Sequence, residues 1–263
     1  MKVYTTDKIR NVVLLGHGGS GKTTLVESMA FLSGLTKRVG RVEEGNTISD
    51  YDNQEKKRVM SIQTSLVPIP WDDTKINILD TPGALDFIGE AEEAISVADA
   101  AIIVVSGKNG IENGTKAAWK ACEKFHLPRI IYVSDMDIDD VSYHDVVLRL
   151  QDLYGKKIAP FHLPIRKDGE FVGYVNVIQQ RAKAWKSDGT VESCDIPDYS
   201  KENLDLCREA LMESIAETSE EFMDRYFGGE EFSEDEIRQT LRANVSEGSI
   251  VPVLMGSNTL CRG

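Results

Sequence analysis

The sequence lacks several features that mark particular classes of protein. No apolar run approaches the ~20 residues that would cross a bilayer, and the first ten residues lead straight into a short apolar run, with no room for a secretory signal peptide. Basic residues are in the minority, since 30 Lys and Arg against 43 Asp and Glu give a net charge of −13. Because an acidic surface repels a phosphate backbone, we expect a cytoplasmic protein that neither enters a membrane nor binds free DNA.

Cysteine is also scarce. Four cysteines are scattered along the chain, without the close pairs that mark a zinc site or the dense spacing of a disulfide framework. We therefore expect reduced thiols with no part in the function. They are Cys122, Cys194, Cys207 and Cys261.

Strand and helix patterns alternate over the first two-thirds of the chain. Apolar runs rich in Val and Ile predict strands buried on both faces of a mostly parallel sheet, and helical patterns such as 24–32 and 115–125 separate them. This alternation predicts an α/β fold with helices on both faces of the sheet. The runs are 11–15, 76–79, 101–105, 130–133 and 250–255, and 61–67 predicts a strand nearer the edge, with Ile62, Thr64 and Leu66 on one side.

Residues 160–249 interrupt this alternation. They contain two predicted strands with Asp-Gly turns, one long amphipathic helix and a capping box, Ser233 with Glu236, that starts another helix. We therefore predict a nucleotide-binding domain at 1–159 and 250–263, with an α+β subdomain inserted at 160–249. The strands are 171–178 and 182–191, the turns are 167–169 and 187–189, and the helix runs from Leu204 to Tyr226.

The strongest motif is a glycine-rich loop that matches GxxxxGK[ST]. Glycines let successive backbone N–H groups face a phosphate, and the following helix adds its positive N-terminus. Lys22 is expected to reach the β- and γ-phosphates, and the Thr23 hydroxyl to bind Mg²⁺. We therefore predict that this loop binds a nucleoside triphosphate with Mg²⁺. The loop consists of Gly16, His17, Gly18, Gly19, Ser20, Gly21, Lys22 and Thr23.

A second motif, Asp-Thr-Pro-Gly, follows the predicted strand 76–79. Asp80 would stand at the carboxyl end of that strand, where it can hold Mg²⁺ through a water because Mg²⁺ keeps most of its hydration shell. Gly83 can offer a backbone N–H to the γ-phosphate, a contact that is lost on hydrolysis. Together with the glycine-rich loop, this motif predicts a complete phosphate and metal site.

The two motifs resemble those of a G domain, and their surroundings are similar to those of the translational GTPases. The closest resemblance is to elongation factor G and its elongation-factor-G-like and ribosomal-protection relatives, and it covers essentially the whole chain. Residues 40–55 resemble the first switch of that family, 80–87 resemble the second, and 251–257 resemble the strand and loop that close the guanine pocket.

The resemblance implies a P-loop NTPase G domain that binds GTP or GDP with Mg²⁺ and acts on the ribosome. It also implies that later domains of the family are absent from this chain, and no oligomer is expected. The implied catalytic residues are Lys22 and Gly83, and the implied metal ligands are Thr23, Ser61 and Asp80. Beyond the loop, the implied nucleotide-binding residues are Thr24, Asp80, Gly83, Ser134, Asp135, Asp137, Ser257 and Asn258.

The sequence departs from the family pattern around the γ-phosphate. Ser61 replaces a threonine that binds Mg²⁺ in the triphosphate state; it keeps the hydroxyl but loses the methyl group that restricts rotation. Ala84 replaces the histidine that positions the attacking water. Since general acid–base groups contribute roughly 10²–10⁴-fold, we expect slow hydrolysis in isolation.

The guanine motif is altered as well. Ser134-Asp135-Met136-Asp137 stands where the family has Asn-Lys-x-Asp, and only Asp137 is retained. Its carboxylate would accept hydrogen bonds from guanine, each contributing ~1.5–3 kcal/mol. Guanine is therefore expected to remain preferred over adenine, with lower affinity than is usual in the family.

Two functions follow from these residues. The first is a translational GTPase whose switches release when GTP is hydrolysed on the ribosome. The second is a ribosome-binding or protection module that holds GTP with little hydrolysis, which Ala84 favours. A pocket that accepts ATP is a third possibility, and competition between GTP, ATP and GDP would separate it from the others.

Overall fold

The structure, a computed structural model, describes residues 3–186, 189–230 and 232–263. The chain divides into two compact units. The first comprises the chain up to Asp135 together with Gly256–Arg262, and the second comprises Met136–Met255. The predicted insertion, 160–249, lies within the second unit, and its boundaries as a domain stay a prediction.

The described residues of the first unit form five strands and four helices. The sheet order is β2-β3-β1-β4-β5, with β2 antiparallel to β3 at the edge and the other pairs parallel. The predicted α/β class is confirmed. The elements are β1 (Ile9–Gly16), α1 (Lys22–Leu32), α2 (Asn53–Arg58), β2 (Ser65–Trp71), β3 (Thr74–Asp80), α3 (Ile88–Ser96), β4 (Ala100–Val105), α4 (Asn113–Lys124) and β5 (Arg129–Val133), with short 3₁₀ turns at Thr6–Lys8 and Leu85–Phe87.

The core of this unit fixes α1 against one face of the sheet. Leu25, Val26 and Ala30 of α1 pack on Leu14 and Val104, whose side chains point to the same face. Alternate residues of a strand face opposite sides, so Val13 and Leu15 serve the other face and are equally buried. Burial of both faces explains the apolar run at the end of β1. The loop between β1 and α1 therefore begins at a buried strand and ends at a helix packed on the same sheet.

The edge strand predicted at 61–67 was misplaced. β2 begins only at Ser65, and its buried side carries Ser65, Val67 and Ile69, while Leu66 is exposed. The preceding residues cannot join the ladder because their amides donate to carboxylates: Ile62 to Glu55 at 3.0 Å and Thr64 to Glu90 at 2.7 Å. The strand then continues through two prolines, which an edge position tolerates.

The second unit combines a four-stranded antiparallel sheet, ordered β10-β9-β8-β7, with a parallel pair, β11 and β6. Helices α6 and α8 pack together through Leu211, Ile215, Ile237 and Leu241. The strand predicted at 250–255 is present as β11. The elements are α5 (Tyr143–Tyr154), β6 (Ile158–Pro160), β7 (His162–Lys167), β8 (Glu170–Asn176), β9 (Arg181–Trp185), β10 (Val191–Cys194), α6 (Asp198–Ala216), α7 (Glu220–Phe227), α8 (Glu234–Glu247) and β11 (Val251–Met255).

Two turn predictions in this unit have different outcomes. The turn at 167–169 is confirmed, since Asp168 and Gly169 have φ of 52° and 87° and join β7 to β8 as a two-residue hairpin loop. The strand predicted at 182–191 was wrong, because the chain reverses between β9 and β10, with Gly189 N donating to Lys186 O at 3.0 Å. Two residues of the turn predicted there, Ser187 and Asp188, lie outside the described residues.

The single long helix predicted from Leu204 to Tyr226 is two helices. α6 ends at Ala216, and Ser219 caps α7 by accepting a hydrogen bond from Phe222 N at 3.1 Å. A serine N-cap provides a helix start inside an otherwise continuous pattern. The capping box of Ser233 and Glu236 is confirmed at the start of α8.

His162, the first residue of β7, is expected to make stability depend on pH. Burial, assisted by Lys183, lowers the pKa of its imidazole from 6.5 to about 4. The unfolded chain therefore binds a proton at His162 more readily than the folded chain does. The stability that the folded chain has while His162 is neutral is complete above pH 6.5 and is lost as the pH falls toward 4. Between pH 7.5 and 4.5 the loss should be about 2–3 kcal/mol.

Urea unfolding at the two pH values measures this loss. His162→Gln should lose that much less than the wild type, whereas His144→Gln, at an exposed histidine of the same unit, should behave as the wild type does. Equal losses in the wild type and His162→Gln would contradict the assignment.

Candidate nucleotide and metal site

The glycine-rich loop joins β1 to α1 through backbone conformations that side chains disfavour. Gly19 and Gly21 have φ of 81° and 93°, in the left-handed region, and Gly21 is the N-cap of α1. Glycine adopts these angles without a steric penalty. The loop can therefore curl so that main-chain N–H groups and the start of α1 face a common point, which is the arrangement that binds phosphate.

Lys22, the first residue of α1, turns back into this loop. Its Nζ donates to Gly16 O at 3.1 Å and His17 O at 2.9 Å, and the side chain is buried. Burial lowers the pKa of Lys22 to about 8, and the nearby carboxylates of Asp80 and Asp50 oppose the shift. A buried ammonium at a helix N-terminus is positioned to bind an anion.

Thr23 connects the loop to both switch segments. Its Oγ1 donates to Asp80 Oδ2 at 2.9 Å and lies 3.2 Å from Ser61 Oγ, which in turn donates to Asp50 Oδ1 at 2.7 Å. The structure thus brings together the three metal ligands that the sequence implied and adds Asp50. Burial raises the pKa of Asp80 to about 6 and also raises that of Asp50.

These oxygens fit Mg²⁺. Asp80 Oδ1 and Asp50 Oδ2 are buried and accept no hydrogen bond from the described residues. Hydroxyl and carboxylate oxygens are the ligands that Mg²⁺ prefers, and it keeps several waters. No group of three or more His, Cys, Asp or Glu side chains that could hold a metal occurs in the part of the chain that the structure describes.

The second switch lies against the phosphate loop. A Cβ added to Gly83 would lie 2.5 Å from both Gly18 N and Lys22 Nζ, so only glycine fits here. Ala84 follows, half-buried, with its amide close to Gly18. His17 is engaged elsewhere: its Nδ1 accepts from Gly114 N at 3.3 Å, and its Nε2 lies 3.5 Å from Glu112.

Several residues assigned to the base pocket instead form hydrogen bonds to the backbone of the phosphate loop. Buried Ser134 donates through Oγ to Ser20 O at 3.0 Å, and Asn258 donates through Nδ2 to Gly21 O at 3.0 Å. Asn258 also accepts from Ser28 Oγ at 2.6 Å, and Ser257 is fully buried. Serine at 134 therefore keeps a structural role in the loop despite being shorter than asparagine.

The other base-pocket residues are more exposed. Asp135 has a φ of 63°, and its carboxylate accepts from Ser106 Oγ at 2.6 Å. Asp137 is exposed and belongs to the second unit, and Thr24 is half-buried in the first turn of α1. The first unit therefore contains the phosphate loop, the proposed metal ligands and Gly83.

Two buried glutamates that hold the first switch were not identified as site residues. Glu27 accepts hydrogen bonds from the amides of Gly40 and Ile48, and Glu55 from those of Ile62 and Gln63. Glu55 thereby fixes the chain next to Ser61. The available signal for Glu27 was a single acidic residue within the apolar stretch Leu25–Leu32 of a predicted helix.

Comparisons with known proteins identify the family of the chain. Residues 7–260 match the family described as the elongation factor Tu GTP binding domain. Elongation factor G of Thermotoga maritima is 37% identical over 259 residues, and that of Thermotoga sp. strain RQ2 is 36% identical; each alignment covers 98% of this chain and 37% of the relative. A crystal structure of a protein from Thermus thermophilus superposes with a TM-score of 0.89 at 33% identity, over 96% of this chain and 38% of that one.

The phosphate loop, which joins β1 of a mostly parallel sheet to α1, defines a G domain of the P-loop NTPase class. The chain belongs to the family of elongation factor Tu GTP-binding domains, and within it the chain is an elongation-factor-G-like GTP-binding domain. It spans about 37% of the length of the curated relatives it matches. Among the described residues, none of the helices has the length and apolar character needed to span a bilayer.

Proposed function

We propose that this chain is the nucleotide switch of an elongation-factor-G-like protein, which binds GTP with Mg²⁺ and hydrolyses it on the ribosome. The observation that carries the proposal is that Thr23, beside Lys22 in the phosphate loop, contacts both Ser61 and Asp80. Buried carboxylate oxygens of Asp80 and Asp50 accept no hydrogen bond there from the described residues. Such oxygens cost free energy unless a cation or donor binds them.

Each residue has a distinct role in the proposed reaction. Thr23 and Ser61 would hold Mg²⁺ directly and Asp80 through a water, and the ion would neutralise charge on the phosphates. Lys22 binds the β- and γ-phosphates, and the Gly83 amide donates to the γ-phosphate. When that phosphate leaves, Gly83 and Ser61 lose their contacts, so both switches are released.

Ala84 limits the rate, because a methyl group can neither orient nor deprotonate water. We propose slow hydrolysis in isolation and acceleration by ribosomal groups. The alternative, a ribosome-binding or protection module that holds GTP with little hydrolysis, is favoured by the same residue. Base selection is assigned to Asp137, whose carboxylate would accept hydrogen bonds from guanine; Ser134, Asp135, Ser257 and Asn258 are the other residues assigned to nucleotide binding in this part of the sequence.

We further propose that residues 160–249 form an inserted subdomain, and that the protein acts in the cytoplasm without forming an oligomer. The antiparallel sheet of β7 to β10 and the helices α6 to α8, all within residues 160–249, support the inserted subdomain.

Competition binding followed by single turnover tests the proposal. GTP and GDP should displace a fluorescent guanine nucleotide in the presence of Mg²⁺, while ATP should require a concentration at least about tenfold higher, as one hydrogen bond to a charged group predicts. Bound GTP should then convert to GDP faster when ribosomes are added to the full-length protein. Persistence of GTP for hours with ribosomes supports the binding module, and equal displacement by ATP contradicts the assignment to Asp137.

A further inference from the structure

Glu27 is a buried carboxylate that the proposed reaction does not use. It lies in α1, only 1% of its surface is exposed, and its two oxygens accept different backbone amides. Oε2 accepts from Gly40 N at 2.9 Å, and Oε1 accepts from Ile48 N at 2.5 Å. One side chain therefore holds the two ends of segment 40–48, which we name the switch loop.

The close approach at Gly40 is specific to glycine. A Cβ added there would lie 2.5 Å from Glu27 Oε2 and 2.9 Å from both Asn46 O and Thr47 Cα. The neighbouring amide of Arg41 donates to Asn46 Oδ1 at 2.7 Å, which folds the switch loop back on itself. The backbone of this loop is thus shaped to bring two N–H groups to one carboxylate.

The switch loop leads directly to the metal site. Asp50, two residues after Ile48, accepts from Ser61 Oγ at 2.7 Å, and Ser61 lies 3.2 Å from Thr23 Oγ1. Thr23 and Glu27 are four residues apart in α1, so their side chains lie on the same face of the helix. This face contacts the first switch twice, at the metal ligand through Thr23 and at the switch loop through Glu27.

We propose that Glu27 is a positioning residue, which holds the switch loop so that Asp50 and Ser61 stay beside Thr23 before the nucleotide binds. The proposal rests on the proposed function, because Ser61 matters only if Mg²⁺ and a triphosphate bind. GDP depends mainly on the phosphate loop, whereas the triphosphate state also needs the first switch. Loss of the hydrogen bonds between Glu27 and the switch loop therefore weakens binding of the triphosphate selectively.

Glu27→Gln tests this role. The glutamine side chain keeps one acceptor oxygen, but its NH₂ group would face the second backbone N–H, and two donors cannot form a hydrogen bond. The Kd of a non-hydrolysable GTP analogue with Mg²⁺ should rise about tenfold, as expected for a lost hydrogen bond to a charged group, while the Kd of GDP should change by less than about twofold. Trypsin should cut the nucleotide-free variant faster than the wild type at Arg38 and Arg41. Glu43→Gln, at an exposed glutamate of the same loop, removes the same charge and should match the wild type in both measurements.

Gly40→Ala provides a second variant that leaves α1 intact and should reproduce both effects, even if Glu27→Gln does not fold. Trypsin cleavage as slow as in the wild type would overturn the proposal without reference to any nucleotide. Equal weakening of GDP and the analogue would also overturn it, because that result marks a general loss of structure. Failure of the wild type to bind either nucleotide would instead reject the proposed function.

Discussion

Histidine in place of Ala84 is expected to raise the rate of GTP hydrolysis by the isolated chain by about 10²–10⁴-fold, the usual contribution of a general acid–base group. Ala84 follows Gly83, which lies against Gly18 and Lys22 of the phosphate loop. A side chain at 84 therefore starts beside the place where the γ-phosphate would bind. His17 does not substitute for it, because its ring nitrogens face Gly114 and Glu112.

Single-turnover conversion of pre-bound GTP measures this rate without interference from product release. Ala84→Gln is the matched control: it has similar length and can orient a water, but it cannot take a proton, so it should give only a small part of the gain. A rate for Ala84→His equal to that of the wild type would show that residue 84 does not reach the attacking water. The binding module would then be the better description of the chain.

The sheet and the phosphate loop could be predicted from the sequence because both rest on local signals. β1, β4 and β5 contain continuous apolar runs, as expected of strands buried on both faces, and β3 contains one that Asn77 interrupts. The loop at 16–23 has a fixed spacing that only its backbone geometry explains. Neither prediction depended on knowing which distant residues meet.

The first switch could not be predicted in the same way. Its strand was placed four residues too early because the alternation from Ser61 to Val67 does not reveal that Ile62 and Thr64 give their amides to Glu55 and Glu90. Glu27 is similar: its partners are 13 and 21 residues away, in a segment without regular structure. Such contacts depend on the folded chain, and one sequence has no periodic signal for them.

The base-reading side shows a third kind of difficulty. Ser134 was assigned by its position in a motif, yet its hydroxyl donates to Ser20 O within the phosphate loop. The short side chain of Ser134 reaches this carbonyl directly, so Ser134 supports the phosphate loop. The motif identified the right position, but only the fold shows which partner this residue has.

Alanine in place of Gly83 is expected to weaken binding of the triphosphate while leaving GDP binding nearly unchanged. The added Cβ would lie 2.5 Å from Gly18 N and 2.7 Å from Gly18 Cα. Lys22 Nζ could move aside, but the backbone at Gly18 could not, so the second switch must retreat from the loop. The Gly83 amide then no longer reaches the γ-phosphate, and removing one such donor typically costs about 10²–10³-fold in rate.

Gly89→Ala is the matched control, since it is the same substitution in the helix that follows. A Cβ there has no atom within 4 Å, and alanine in a helix should add up to about 1 kcal/mol of stability. Titrations with GDP and a non-hydrolysable GTP analogue should give Gly89→Ala the wild-type ratio of affinities, whereas Gly83→Ala should lose at least about tenfold for the analogue alone. If Gly83→Ala instead binds both nucleotides as the wild type does, the second switch does not contact the γ-phosphate through residue 83. Release of that contact could then not be the signal that hydrolysis sends to the rest of the protein.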